Sequence, residues 1–151
     1  MSEGGSLLDV SVLVAFLWPP HLPHRAARSW FVQAQPRGWA TCPITEIGCI
    51  RVLAQPAVSQ GRLNVWSATA LFREFAEDDR HHLFWPDDLS ASDTSLAATL
   101  PYLQGPGQLT DRYLLALAAA HGGTFATFDR SVGSGLPASS ELLNHLEIVA
   151  R

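Results

Sequence analysis

Four carboxylates in this chain stand where carboxylates can do chemistry: Asp9, Glu46, Asp111 and Asp129. Asp9 directly follows the apolar pair Leu7-Leu8, and Asp129 directly follows the β-rich run from Thr124 to Phe128. Glu46 begins a helical stretch after the short run Trp39 to Cys42. Asp111 lies in the first turn of a helix that Thr110 is expected to cap. Strands that alternate with helices predict a mostly parallel α/β sheet. In such a sheet, strand carboxyl ends and helix amino ends share one edge, and ligands bind there. All four acids then reach one rim, where like charges repel at neutral pH. A divalent cation that favours hard oxygen ligands, Mg²⁺ or Mn²⁺, removes that cost. The chemistry would be metal-assisted phosphodiester hydrolysis, with one ion or a pair about 3.5–4 Å apart activating water and stabilising the leaving oxygen. Each acid also has a plainer reading. Asp111 and Glu46 suit a helix dipole, worth roughly 0.3–1 kcal/mol, and Asp9 and Asp129 suit turns or caps. The coincidence of four on one edge favours a site.

The elements that must position them follow from hydrophobic periodicity. Leu7-Leu8 begins the first strand, and Ser11 to Leu17 opens the first helix. Pro23 can start a second helix, with Ala27, Trp30, Phe31 and Ala34 at helical spacing. Trp39 to Cys42 reads as a strand, and the next helix places Ile47, Ile50, Leu53 and Ala54 on one side. Ser67 is the expected N-cap of a helix with Leu71, Phe72, Phe75 and Ala76 on its apolar face. His82 to Trp85 is a further strand, followed by a helix around Thr94 to Leu100 and a Pro/Gly-rich loop from Pro101 to Leu109. The Thr110 helix ends at His121, where Gly122 supplies a left-handed stop. Leu146 to Ala150 reads as the last strand. The remaining acid clusters need no site: Glu74, Glu77, Asp78 and Asp79 close a helix towards water, and Asp87 and Asp88 follow Pro86 in a turn.

Composition narrows the classes. At 151 residues, 47% hydrophobic and 16% charged, the chain reads as a single globular domain, 1–151, able to bury a core without disulfides. A net charge of −4 argues against a general basic coat, so a polyanion must meet a local patch or a bound cation. All ten basic residues are Arg. Without Lys, a P-loop cannot be built, and phosphoacceptor domains and haloacid-dehalogenase-type phosphatases fit poorly. Cys42 and Cys49 lack metal-ligand spacing and read as reduced core residues. The N-terminus has no basic region of a secretory signal, and Val10 to Pro20 is too short for a span, so a cytoplasmic protein is expected. Arg112 and Arg130, each following an acid, are read as solvated or paired guanidinium groups before phosphate contacts. Trp18, Trp39 and Trp85 are read as packing residues before base-stacking platforms. His81-His82 and His21/His24 lack the partners of a zinc site.

With these residues placed, the segments LLDVSVLVAFL, TEIGCIRVL and LTDRYLLALAAAHGGTFATFDRSV resemble the PIN-domain nucleases, specifically VapC-type toxins of bacterial toxin–antitoxin pairs. The resemblance runs from Leu7 to about Val132. It rests on a T-D-x-x-L-x-A-x-A helix followed by T-F-D, together with the strand-end Asp9 two residues before Ser11. It implies an α/β/α sandwich with a mostly parallel central sheet, Mg²⁺ or Mn²⁺, and RNA cleavage at Asp9, Glu46, Asp111 and Asp129. It also implies a homodimer and a small cognate antitoxin, and places small hydroxyl residues near the acids at Ser11 and Thr127, where local capping is an equal reading. A PIN-like domain that binds RNA or protein without cutting, and a housekeeping RNA-processing nuclease, are the alternatives.

Overall fold

The computed structural model describes residues 4–151; residues 1–3, on which part of the N-terminal leader reading rests, lie outside them. Within the described residues five strands form one sheet, all parallel: β1 (Ser6–Leu8), β2 (Trp39–Thr41), β3 (His82–Phe84), β4 (Thr124–Thr127) and β5 (Leu146–Ile148). Their order is β3-β2-β1-β4-β5. The chain winds outward one way from β1 and the other way from β4, so the topological switch point lies between those two strands. β1 and β4 pair in the register Leu7↔Phe125 and Leu8↔Ala126, which brings the segments after them side by side.

Among the described residues, seven helices connect and cover the sheet: α1 (Val10–Leu17), α2 (His24–Ala34), α3 (Pro43–Leu53), α4 (Pro56–Ser59), α5 (Val65–Asp78), α6 (Thr94–Ala97) and α7 (Leu109–Ala120). Strand alternation splits the core in two. Leu8, Trp39 and Ala126 point to one face and pack with α1, α2, α3 and α5. Leu7, Ala40 and Phe125 point to the other and pack with Leu114, Leu115, Leu117 and Ala118 of α7. The result is the expected α/β/α sandwich. Trp39 and Trp85 are core residues, and Cys42 and Cys49 are free and buried. Among the described residues, no helix is long and apolar enough to cross a membrane.

Several local expectations change. The cap of α5 is Asn64, not Ser67: Asn64 Oδ1 accepts the Ser67 N–H at 2.8 Å, while Ser67 Oγ accepts the Asn64 N–H at 3.0 Å. Ser67 is thus the third-position half of a capping box. Thr110 does not cap α7, which begins one residue earlier out of a 3₁₀ turn at Pro106–Gln108. A second such turn, Leu100–Tyr102, takes over where the helix expected to reach Leu100 ends at Ala97. Asp79 does more than close the helix towards water: half-buried, it accepts the Trp39 indole N–H at 3.0 Å and the His81 N–H at 2.8 Å.

The apolar face of α3 is also rotated. Ile47 is 67% exposed, and the buried positions are Thr45, Gly48, Cys49 and Leu53. The cause is the closeness of α1: a Cβ on Gly48 would lie 2.6 Å from Val10 Cγ2. Only glycine allows the two helices that carry Asp9 and Glu46 to approach so nearly.

Candidate active site at the carboxyl edge of the sheet

Asp9 ends β1 and caps α1. Its Oδ1 accepts the Val10 N–H at 2.8 Å, and its Oδ2 accepts the Thr127 hydroxyl at 2.6 Å. That hydroxyl also accepts the Asp129 N–H at 3.0 Å, so Thr127 ties the ends of β1 and β4 together across the switch point. The Asp129 carboxylate is set by a local turn, in which Oδ1 accepts both the Ser131 N–H at 2.9 Å and the Ser131 hydroxyl at 2.7 Å. Asp111 comes from the first turn of α7, half-buried beside them.

Electrostatics couple these three. Burial raises the Asp9 pKa; hydrogen bonds from Thr127 and Val10 oppose it, and Asp129 adds repulsion. Burial pushes Asp111 up to about 6, reinforced by the charges of Asp9 and Asp129. The exposed Asp129 is held low by its Ser131 hydrogen bonds. Ser11 Oγ is buried against Asp9 without a completed hydrogen bond.

Glu46, the fourth acid, stands in the first turn of α3, where its Oε2 accepts the Thr41 hydroxyl at 2.7 Å. Thr41 Oγ1 lies in turn 2.7 Å from His82 Nε2. Burial lowers the His82 pKa, with Asp79 pulling it the other way. The structure therefore brings Asp9, Asp111 and Asp129 into mutual repulsion and holds Glu46 on a separate polar chain. Among the described residues, no three His, Cys, Asp or Glu side chains form a ready-made metal cage. The donor set nevertheless suits a hard cation. The oxygens are carboxylate and hydroxyl, the acids repel one another, and a buried hydroxyl beside them is unsatisfied.

Arg112 corrects an expectation: it is neither a phosphate contact nor solvated. Its side chain is fully buried and donates to the carbonyls of Thr99 at 2.8 Å and Ser134 at 3.5 Å. It fastens the start of the Leu100–Tyr102 turn and the loop after β4 to the helix that carries Asp111. Arg130 is exposed. Thr41 and His82 were missed as site residues. The available signals were the place of Thr41 at the end of β2 and the alternation that puts His82 two positions before Phe84 on β3.

The comparisons with known proteins bear on the family and the fold. The PIN-domain family model matches residues 6–133. Ribonuclease VapC44 of Mycobacterium tuberculosis is 42% identical over 84% of this chain and 87% of its own length. Ribonuclease VapC39 of the same organism is 39% identical over 88% of this chain and 94% of its own. The crystal structure of PAE2754 from Pyrobaculum aerophilum superposes with a TM-score of 0.53 over 86% of this chain and 78% of that one; at 16% identity it speaks for the fold alone. With the strand order, the switch-point acids and these relatives together, the chain belongs to the PIN-domain family, among its VapC-type members.

Proposed function

We propose that this protein is a divalent-metal-dependent endoribonuclease, the toxin of a toxin–antitoxin pair, acting in the cytoplasm at a site formed by Asp9, Glu46, Asp111 and Asp129. The observation that carries the reading is the mutual repulsion of Asp9, Asp111 and Asp129 at the switch point of a parallel sheet. Ordinary caps do not converge in this way. Asp9 and Asp111 would hold Mg²⁺ or Mn²⁺ most directly, with Asp129 and Glu46 closing the acidic rim. The chemistry supplied by a bound cation is the activation of a water and the neutralisation of charge on the leaving oxygen. Thr127 favours the charged form of the Asp9 carboxylate against burial and aims it, and its link to Asp129 fixes the spacing of the two strand ends.

A homodimer and a small cognate antitoxin complete the proposal. Of the apolar side chains crowding the start of α5, Phe72 is buried and Leu63, Leu71 and Phe75 pack on the core, while Val65 and Trp66 remain 64% and 85% exposed. An acidic rim built for a cation also suits a partner's Arg or Lys.

The test is cleavage of a labelled RNA pool, with the cut ends mapped. The wild type should cut with Mg²⁺ or Mn²⁺ and stop in EDTA. Asp9→Asn keeps the shape and removes the charge, so it should be folded and inactive. Undiminished cutting in chelator, or an Asp9→Asn protein at wild-type rate under saturating Mg²⁺, rejects the mechanism.

A further inference from the structure

Glu46 does not stand alone at the rim; it ends a chain of polar contacts that reaches the edge strand. Thr41 is fully buried, and its hydroxyl has a single proton. Thr41 Oγ1 donates that proton to Glu46 Oε2 at 2.7 Å, so its contact with His82 Nε2, also 2.7 Å, requires the ring nitrogen to be the donor. The chain therefore has one direction, from His82 Nε2–H to Thr41 Oγ1–H to the Glu46 carboxylate.

The imidazole is itself held on its other side. Its ring lies on Trp39, with centroids 4.4 Å apart, and the Trp39 indole N–H is tied to Asp79 at 3.0 Å. Trp39 and His82 are register partners on β2 and β3. Thr41 is then the diagonal neighbour on the same face, within reach of a long side chain. Two strands and the end of α5 thus fix the orientation of one carboxylate.

We propose that His82, acting through Thr41, is a positioning residue that holds Glu46 in its cation-facing orientation. The inference rests on the nuclease reading above and goes beyond it by adding two residues that act through Glu46. Groups that orient a ligand from behind typically change metal affinity or activity 10–100-fold when removed.

The substitutions separate hydrogen bonding from packing. His82→Phe keeps a ring on Trp39 and removes the donor. His82→Gln places an amide N–H where Nε2 stood, whereas His82→Asn places one where Nδ1 stood. Thr41→Ser keeps the hydroxyl, and Thr41→Val removes it. Mn²⁺ affinity is measured by calorimetry on the full chain, alongside RNA cleavage and melting temperature. Nitrogen-resolved NMR of the wild-type imidazole reads the position of the ring proton.

His82→Phe, His82→Asn and Thr41→Val should each weaken Mn²⁺ binding about tenfold, while His82→Gln and Thr41→Ser stay within about twofold of wild type. The proton should be found on Nε2. Equal Mn²⁺ affinity in folded His82→Phe and wild type overturns the relay. So does a wild-type ring protonated only on Nδ1, and this result is readable even when a variant fails to fold. A wild type that neither binds Mn²⁺ nor cuts RNA overturns the nuclease reading instead; the relay then stands or falls on the ring proton.

Discussion

Replacing Asp111 by Asn should stabilise the metal-free protein while abolishing its activity. The folded protein holds the Asp111 pKa at about 6 against an ordinary value of 3.8, first through burial and then through the charges of Asp9 and Asp129. A raised carboxyl pKa means that the folded state resists ionisation of this group. The stability associated with its protonated form is complete below about pH 4, falls as pH rises through the folded pKa, and is absent above it. A pKa of about 6 in place of 3.8 corresponds to about 3 kcal/mol for a fully desolvated group. Asp111 is only half-buried, and solvent screening brings the expected penalty at neutral pH down to about 1 kcal/mol. Asn has the same shape and no charge to repel. For a chain of this length, about 1 kcal/mol moves a melting temperature by roughly 2–4 °C. In EDTA at pH 7.5, Asp111→Asn should melt that much higher than wild type, and at pH 4 the two should coincide. Added Mn²⁺ should raise the melting temperature of the wild type and leave the variant nearly unmoved. The reasoning is refuted by a variant melting at or below wild type at pH 7.5 in chelator, or by a difference that persists unchanged at pH 4.

Three other outcomes are expected. Arg112→Met should destabilise the fold by about 3 kcal/mol in urea denaturation, because the carbonyls of Thr99 and Ser134 lose a buried charged donor; a change under 1 kcal/mol would deny Arg112 its fastening role. Gly48→Ala should lose roughly 1–3 kcal/mol by driving a Cβ into Val10, and adding Val10→Ala should recover part of it in a double-mutant cycle. Thr127→Val removes a hydrogen bond that lowers the Asp9 pKa, so the acidic limb of the pH–rate profile should move to higher pH; an unmoved limb would show that Asp9 ionisation does not limit cleavage.

What the sequence determined by itself is largely what can be encoded locally. Leu7-Leu8-Asp9 and Thr124 to Asp129 each state a strand and its end within a few residues. Parallel topology then brings those ends to one edge whatever the packing details. The helix from Leu109 to Ala120 and its stop at Gly122 were legible for the same reason, because helical periodicity and a left-handed glycine are short-range signals. The capping box at Asn64 and Ser67 is local as well, but both residues are good caps and the hydrogen bonds alone distinguish their roles. Other features depended on residues far apart in the chain. Which side of α3 is buried was decided by how nearly Val10 approaches Gly48, not by where the large apolar residues fall along the helix, so Ile47 ends in water. Arg112 is buried because two carbonyls, 13 positions before it and 22 after it, close around its guanidinium. Glu46 has Thr41 as a companion only five residues away, but His82 joins them because β2 and β3 pair in one register and no other, a long-range fact that no window of sequence contains. Strand ends and helix starts were enough to single out the four acids as candidates. How each is charged, oriented and held follows from burial and hydrogen bonding, which exist only once distant segments have packed.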